Sequence, residues 1–340
     1  MKRPPNSSHS RRAVLKGIGA TLVLLSTTAL TQPSGAQEPG DFAFDFDSFS
    51  ARMQAMAAQA FAPVSITIPE PVGGLDYDAY PRIQYRPEAS KWASDDLGYR
   101  LQAFHLGWLF KEPVKVFEIE AGQAHPVDFS AKDFQYHDTA VEEGALAHPF
   151  PGVAGLRVNY PLNRPEAFDE LVTFLGASYF RSLGRDNIYG LSARGLVINS
   201  WVSVPEEFPR FSEFYVEKPQ PNGALTIFAA LDSQSVTGAY RFVITPASDA
   251  AQETTMDVTA RLFFRSDIQE LGIAPLTSMF LYAETNRGDF DDYRPQVHDS
   301  NGLLVERESG EVMWRALNNS DTLGITYLCE NNPRASGLYQ

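Results

Sequence analysis

The densest group of side chains able to do chemistry lies in residues 288–302, GDFDDYRPQVHDSNG. Four aspartates share this stretch with an arginine, a histidine and a tyrosine. A carboxylate beside an arginine and a histidine can be held ionised or have its pKa tuned, as a general base requires. The same composition also fits a solvated acidic turn, or a calcium loop built on Asp289, Asp291 and Asp292. Composition alone leaves these alternatives open.

Aromatic residues are the second chemical feature. The chain has 14 Tyr, 23 Phe and 4 Trp, and Trp108, Trp201, Tyr179 and Tyr189 stand beside polar residues in the sequence. A sugar ring offers an apolar face to an aromatic ring, and its hydroxyls can bond to Asp, Asn, Arg and Ser. Most of the aromatic residues are accounted for by packing in the core. A few exposed ones would suit a carbohydrate ligand.

Several familiar catalytic and metal-binding motifs are absent from the sequence. Residues 190–195 read GLSARG, which places the second glycine one position too late for a serine-hydrolase elbow. There is no phosphate-binding loop, no His-Glu-x-x-His and no Cys/His zinc pattern, and the six histidines are scattered. The single cysteine, Cys329, excludes an intrachain disulfide and fits a small core residue. We therefore predict no metal site and no cofactor.

The elements that would position these residues are mostly strands. Two helices are predicted, at residues 48–60 and at residues 165–174. No alternation of strand and helix occurs, which argues against a parallel sheet and favours an all-β fold, a large sandwich or barrel. Alternating or β-rich runs predict strands at 99–110, 114–120, 154–160, 189–199, 224–231, 238–245, 254–264, 302–306 and 311–315.

The first 36 residues read as a twin-arginine signal peptide, cut after Ala36. Arg11 and Arg12 precede Val-Leu-Lys, an interrupted apolar stretch follows, and small residues precede the cut. That stretch is too short to span a bilayer, which takes about 20 apolar residues, so no stable membrane insertion is expected after cleavage. Residues 37–47 are predicted to be a flexible lead-in, and residues 48–340 a single β-domain.

Charge narrows the range of partners. The net charge is −14, and because residues 1–36 hold five Lys/Arg and no Asp/Glu, the remaining chain carries 23 basic against 42 acidic side chains, or −19. Such a surface repels nucleic acid and anionic lipid. A neutral ligand, or one bound through local contacts, is expected.

Longer blocks of sequence resemble a known family, the periplasmic glucan biosynthesis proteins (OpgG/OpgD, also called MdoG/MdoD). The likeness runs from about Phe44 to Gln340, and the twin-arginine pair is similar to the D branch. The blocks that carry it are 174–181 (FLGASYFR), 189–195 (YGLSARG), 206–211 (EEFPRF), 231–233 (LDS), 237–240 (TGAY), 271–280 (LGIAPLTSMF), 298–300 (HDS) and 314–319 (WRALNN).

This resemblance implies a periplasmic protein that acts on osmoregulated glucans with a β-1,2-linked glucose backbone. It implies a large β-sandwich related to galactose mutarotase, the supersandwich fold, followed by an immunoglobulin-like domain. For the D branch it implies an inverting endo-β-1,2-glucanase, in which the Asp of the His-Asp-Ser motif, Asp299, is the general base. The residues assigned to substrate binding are His298, Ser300, Arg294, Tyr293, Tyr189 and Arg194.

An inverting reaction needs a second carboxylic acid to protonate the leaving oxygen. In the family that acid lies downstream of the motif that falls on residues 331–338 here, so we expect it, the rest of the sandwich and the immunoglobulin-like domain to be missing from this chain. Two hypotheses follow. The chain is part of a glucan-remodelling enzyme, or it is a non-catalytic glucan-binding or assembly factor. A third, a mutarotase, rests on fold analogy alone.

Overall fold

The structure is a computed structural model that describes residues 40–187, 189–200, 202–221, 223–249, 251, 253–289 and 291–317, and the backbone of 333–339. The predicted signal peptide, Trp201 and Cys329 lie outside the described residues.

The larger of two main sheets has seven strands in the order β1-β5-β4-β12-β13-β14-β15. Only β4 and β12 run parallel; the other neighbours are antiparallel. Strands β13 to β15 fall within two residues of the predicted strands. The strands are β1 (Phe42–Ala43), β4 (Lys115–Glu120), β5 (Gln123–Pro126), β12 (Arg210–Glu217), β13 (Leu225–Asp232), β14 (Val236–Thr245) and β15 (Thr255–Phe264).

The second main sheet has five antiparallel strands in the order β10-β9-β8-β7-β3. Its inner face packs against the larger sheet. The Phe174 ring centroid lies 5.2 Å from that of Phe214 and 5.0 Å from that of Phe242, across the interior. Two sheets around one apolar core make a β-sandwich, which confirms the predicted all-β fold. The strands are β3 (Arg100–His105), β7 (Val153–Arg164), β8 (Ala167–Leu175), β9 (Tyr179–Ser182) and β10 (Ser192–Arg194).

Smaller sheets surround the sandwich and include the segment that carries the His-Asp-Ser motif. The predicted strands at 302–306 and 311–315 appear here as β19 and β20. The pairs are β2 (Ile83–Tyr85) with β6 (Phe134–Tyr136), β11 (Leu196–Ile198) with β16 (Leu271–Ile273), β17 (Phe280–Tyr282) with β18 (Val297–His298), and β19 (Gly302–Arg307) with both β20 (Val312–Ala316) and β21 (Pro333–Tyr339).

Helix α1 (Phe46–Ala57) covers the outer face of the seven-stranded sheet, two to three residues earlier than predicted. The Asp45 carboxylate caps it by accepting the backbone N–H groups of Asp47 and Ser48. Residues 41–47 are therefore part of the fold, where the sequence analysis predicted a flexible lead-in. The reason is that Phe42, Phe44 and Phe46 pack against a second apolar cluster beneath the helix.

The predicted helix at 165–174 is wrong, because these residues form the turn and second strand of the β7–β8 hairpin. Pairing along twelve-residue β7 overrides the local helix preference of the AFDEL segment. A helix missed in the sequence, α2 (Thr139–Leu146), begins at the Asp138 cap. No helix among the described residues is long and apolar enough to cross a membrane.

Candidate functional site

The outer face of the five-stranded sheet is polar from one edge to the other, and we call it the polar face. Opposed residues of an antiparallel ladder share a face. Gln102 lies opposite Arg157, Arg157 opposite Thr173, Thr173 opposite Arg181, and Arg181 opposite Ser192. One row of polar side chains thus crosses all five strands.

Strand alternation explains why this face is polar while its reverse is core. In β7, Leu156 and Val158 are fully buried between the sheets, whereas Arg157 and Asn159 point outwards. A bulge between Val158 and Asn159 brings Glu170 of β8 onto the same face. The residues of the polar face are Arg100, Gln102, Phe104, Arg157, Asn159, Glu170, Thr173, Tyr179, Arg181, Ser192 and Arg194.

At the β10 end, aromatic rings hold the guanidinium groups. Arg194 forms a 2.7 Å ion pair with Glu206 and lies 4.7 Å over the Tyr179 ring. Burial raises the pKa of Tyr179 despite the opposing charge of Arg194, so its hydroxyl remains a donor. Arginine, tyrosine and carboxylate together offer both hydrogen bonds and an apolar platform.

Tyr189 stands beside the same end of the sheet, with the Arg181 guanidinium 4.5 Å from its ring centroid. Its ring is more than half exposed. A Cβ at Gly190 would lie 2.2 Å from the Ser182 carbonyl oxygen, so only glycine lets this segment pass so close to β9. Tyr189 and Arg194, both predicted site residues, therefore border one surface.

Three buried side-chain atoms in the described chain have no hydrogen-bond partner: Asn159 Oδ1, Thr173 Oγ1 and Arg194 Nε. All three belong to the polar face, on strands β7, β8 and β10. Leaving a buried polar atom unpaired costs about 1–3 kcal/mol. Their concentration on one face indicates a surface built to hydrogen-bond a ligand.

The His-Asp-Ser motif lies beyond the β10 edge of the polar face. The Thr277 N–H donates to the Ser192 carbonyl (2.8 Å), so residues 275–279 run alongside β10. The Asp299 N–H donates to the Met279 carbonyl (2.7 Å), which places Asp299 one strand further out. Since adjacent strands lie about 4.8 Å apart, Asp299 is on the order of 10 Å from β10.

Local bonds fix the three motif residues. The Met279 N–H donates to Asp299 Oδ2 at 3.0 Å, and Asp299 is half-buried. His298 Nδ1 lies 3.1 Å from the Tyr282 carbonyl. Ser300 is fully buried and its hydroxyl accepts from that of Ser278 at 2.9 Å. Asp299 is thus held with one oxygen bonded, while Ser300 supports the motif from inside.

Two other predicted site residues, Tyr293 and Arg294, lie in the loop before the motif. Tyr293 is 94% exposed, and Arg294 is bonded through both Nε and Nη2 to Asp292. The hydrogen bond from Arg294 lowers the pKa of Asp292 to about 2. Within the ranges that the structure describes, no three His, Cys, Asp or Glu side chains come together as metal ligands, and Asp292 is occupied by Arg294.

The middle of the polar face, including Gln102, Arg157, Asn159 and Thr173, was not predicted from the sequence. A signal for two of them was present, because residues 156–160 alternate strictly as Leu-Arg-Val-Asn-Tyr. An arginine and an asparagine at outward positions of a long strand mark a polar sheet face. Thr173 could not be placed on this face from the sequence, because residues 165–174 were predicted to form a helix and not a strand.

Fold and site together define a β-sandwich protein that presents arginines, amides and aromatic rings on one sheet face. A family model described as "Periplasmic glucan biosynthesis protein, MdoG" matches residues 44–340. The chain therefore belongs to this family, as the sequence blocks predicted.

Relatives named "Glucans biosynthesis protein G" support the assignment. The one from Cereibacter sphaeroides is 48% identical over 350 residues, covering 99% of this chain and 64% of the relative. Those from Ralstonia nicotianae and Vibrio cholerae are both 41% identical and cover 88% and 87% of this chain. The chain spans 58% and 54% of their lengths. Assignment to the D branch rests on the twin-arginine pair and stays a prediction.

Proposed function

We propose that this chain works in the periplasm, reached through a twin-arginine signal, in the biosynthesis and remodelling of osmoregulated glucans. A β-1,2-linked glucan would lie across the polar face towards Asp299. The observation that carries the proposal is the set of three unpartnered buried polar atoms on that face. The family and the names of the relatives support the choice of glucan.

The chemistry of the polar face suits a glucose chain. Sugar hydroxyls both donate and accept, so they can bond to the oxygens of Asn159 and Thr173 and accept from Arg194 Nε. Tyr179 and Tyr189 offer ring faces to the apolar side of a pyranose. No charge is needed on such a ligand, which agrees with an acidic protein that repels anionic polymers.

In the catalytic form of the proposal, Asp299 is the general base. Its Oδ2 accepts the Met279 N–H, and its other oxygen would take a proton from water as the water attacks the anomeric carbon. Inversion requires a carboxylic acid roughly 6.5–9.5 Å away on the opposite side of the sugar to protonate the leaving oxygen. We assign no residue of this chain to that role.

Replacing Asp299 with Asn tests the role of the base. In a protein that hydrolyses linear β-1,2-glucan, Asp299→Asn should lower kcat by about 10²–10⁴ while glucan binding persists. The matched control is Asp257→Asn, an exposed carboxylate on β15 of the other sheet, which should leave the rate unchanged. Hydrolysis retained by Asp299→Asn would contradict the proposed role.

The alternative is a non-catalytic glucan-binding or assembly factor. The polar face favours it in one respect: the face crosses five strands, and most of it lies well away from Asp299. Calorimetry with β-1,2-oligosaccharides separates the two functions. Binding heat with no product after long incubation would support the binding factor, and product formation that depends on Asp299 would support the enzyme.

A further inference from the structure

A cavity of about 800 Å³ opens at the β3 end of the polar face. This end is the edge of the sheet opposite to the one nearest Asp299. Strands β8, β9 and β10 lie between β7, which lines the cavity, and the segment that leads to Asp299. The lining of the cavity includes Arg100, Gln102, Phe104, Arg157, Asn159 and Phe168.

The charge of this cavity is opposite to that of the protein. Its lining includes two arginines and no aspartate or glutamate, in a chain whose net charge is −14. Arg100 donates only to the carbonyls of Trp92 and Tyr99, and no carboxylate of the described chain lies within 4.0 Å of it. The Arg100 charge is therefore not neutralised by any carboxylate of the described residues.

Arg157 is only weakly neutralised. Its Nη1 lies 3.7 Å from Glu170, whereas Arg181 approaches the same carboxylate to 2.6 Å. Its Nε donates a hydrogen bond to the Gln102 side-chain oxygen at 2.9 Å. Glu170 therefore belongs mainly to Arg181, and the Arg157 fork retains donors for another acceptor.

The surrounding residues hold both guanidinium groups in place. Arg100 lies 4.5 Å from the Phe168 ring centroid and Arg157 lies 5.5 Å from that of Phe104. Gln102 is buried and fixed by donating to the Ser90 hydroxyl at 2.8 Å. Rigid, preorganised donors lower the entropy lost on binding.

Asn159 adds a different requirement at the same cavity. Its Oδ1 is buried and unpartnered, and an acceptor needs a donor such as a hydroxyl group. An ionised carboxylate has no hydrogen to offer that oxygen, and inorganic phosphate has at most two, whereas a sugar has several hydroxyl groups at different positions. One ligand that satisfies all three side chains carries hydroxyls and a negative group together.

We propose that this cavity binds an acidic group, a carboxylate or a phosphate ester, carried on a sugar unit of the glucan. The inference rests on the proposed binding of glucan by the same face. Arg100 and Arg157 take the anionic oxygens through their planar forks, and Asn159 accepts from a neighbouring hydroxyl. The protein would then distinguish substituted from unsubstituted glucan at a point remote from Asp299.

The experiment compares ligands by calorimetry on the full chain at low ionic strength. The probes are glucose, glucose 6-phosphate, glucuronic acid and inorganic phosphate. We expect the stronger acidic sugar to bind at least about tenfold more tightly than glucose and inorganic phosphate, as charge-assisted bonds to arginine imply. Comparison of the phosphate and the uronate shows which acid the cavity prefers. Equal affinity for glucose and both acidic sugars would overturn the proposal, and inorganic phosphate binding as tightly as glucose 6-phosphate would overturn its sugar component.

Three variants link the preference to the cavity. Arg100→Gln should remove most of the acidic preference, and Arg100→Lys, which keeps the charge, should retain part of it. Arg241→Gln, an exposed arginine on the α1 side of the other sheet, is the matched control and should behave like the unchanged protein. Thermal unfolding confirms that each variant is folded. An acidic preference that survives in Arg100→Gln would overturn the assignment.

The same titrations separate this inference from the proposed function. A neutral β-1,2-glucopentaose is included with each protein. If it fails to bind while glucose 6-phosphate binds through Arg100, the proposed function fails and the acidic site stands. If it binds as well as its 6-phosphorylated derivative, the proposed function stands and the acidic site fails.

Discussion

The two outer faces of the sandwich arise from the same alternation of side chains along the strands, but they differ in what covers them and in which residue types they carry. The face of the seven-stranded sheet is covered by α1 and filled with aromatic rings that surround Tyr215. The polar face of the five-stranded sheet carries amides, arginines and a threonine. The face of the seven-stranded sheet is thus covered by a helix of the same chain. The polar face holds every unpartnered buried polar atom found among the described residues.

Four arginines illustrate the difference between the two faces in their hydrogen-bond partners. On the α1 side, Arg52 is bonded to both Glu213 and Tyr215, and Arg265 pairs with Asp232 at 2.6 Å. On the polar face, Arg100 has no carboxylate partner in the described chain, and Arg194 leaves Nε unused. Arg52 and Arg265 are thus paired with carboxylates of the fold, whereas Arg100 and Arg194 retain donors for a ligand.

The largest expected effect comes from breaking the α1 side. The Tyr215 ring stacks on Phe117 with centroids 4.7 Å apart, and it is almost fully buried. Tyr215→Ala should lower the free energy of unfolding by about 3–5 kcal/mol, as measured by urea unfolding. Tyr215→Phe keeps the ring and should lose only about 1–2 kcal/mol. A loss below about 1 kcal/mol for the alanine variant would show that this face is not a core.

A smaller effect on the same side depends on pH. Burial raises the pKa of Glu213, but bonds from Arg52 and Tyr215 outweigh it, so the net pKa lies below its usual value. A lowered folded-state pKa stabilises the protein above the unfolded-state value, near 4.3, and this stability is lost as pH falls through the folded-state pKa. Urea unfolding from neutral to acidic pH should show that loss, about 1 kcal/mol, and Glu213→Gln should reduce its slope. An unchanged slope in the variant would contradict the ion pair's role.

The smallest effect sharpens the comparison between threonines on the two sides. Thr173→Val removes an unpartnered buried hydroxyl from the polar face, so unfolding free energy should stay constant or rise by up to about 1 kcal/mol. Affinity for β-1,2-oligosaccharide should fall by about two- to tenfold.

The matched control is Thr237→Val. The Thr237 hydroxyl is buried and donates to the Met53 carbonyl of α1 at 2.7 Å. Its loss should destabilise the protein by about 1–3 kcal/mol and leave glucan affinity unchanged. If both variants destabilise equally and bind equally well, the two faces do not differ in the way proposed.

Much of the fold could be predicted from local pattern. Strands β13 to β15 alternate clearly, and their predicted bounds differ from the observed ones by at most two residues. Strand β8 could not be predicted in this way, because AFDEL favours a helix locally and only pairing with β7 makes it a strand. Helix α1 was predicted, but the residues before it were predicted to be flexible. Their aromatic side chains are ordered by the apolar cluster beneath the helix, which the local sequence does not reveal.

The site was predictable only at its motifs. Tyr189, Arg194 and Asp299 stand in recognisable blocks, and the structure places all three near the β10 edge. Gln102, Asn159 and Thr173 stand in no motif. They form one surface because β3, β7 and β8 are neighbours in the sheet, and strand order is set by long-range packing that no local window records.

We propose that glucan binds to the polar face and not to the α1 side. Amide hydrogen exchange of the Asp299→Asn protein, with and without β-1,2-oligosaccharide, tests it most directly because it reports on both faces in one measurement. We expect slower exchange in strands β7 to β10 and in residues 275–279, with no change in α1. Protection confined to α1 and β15, or absent from both faces at saturating oligosaccharide, would contradict it.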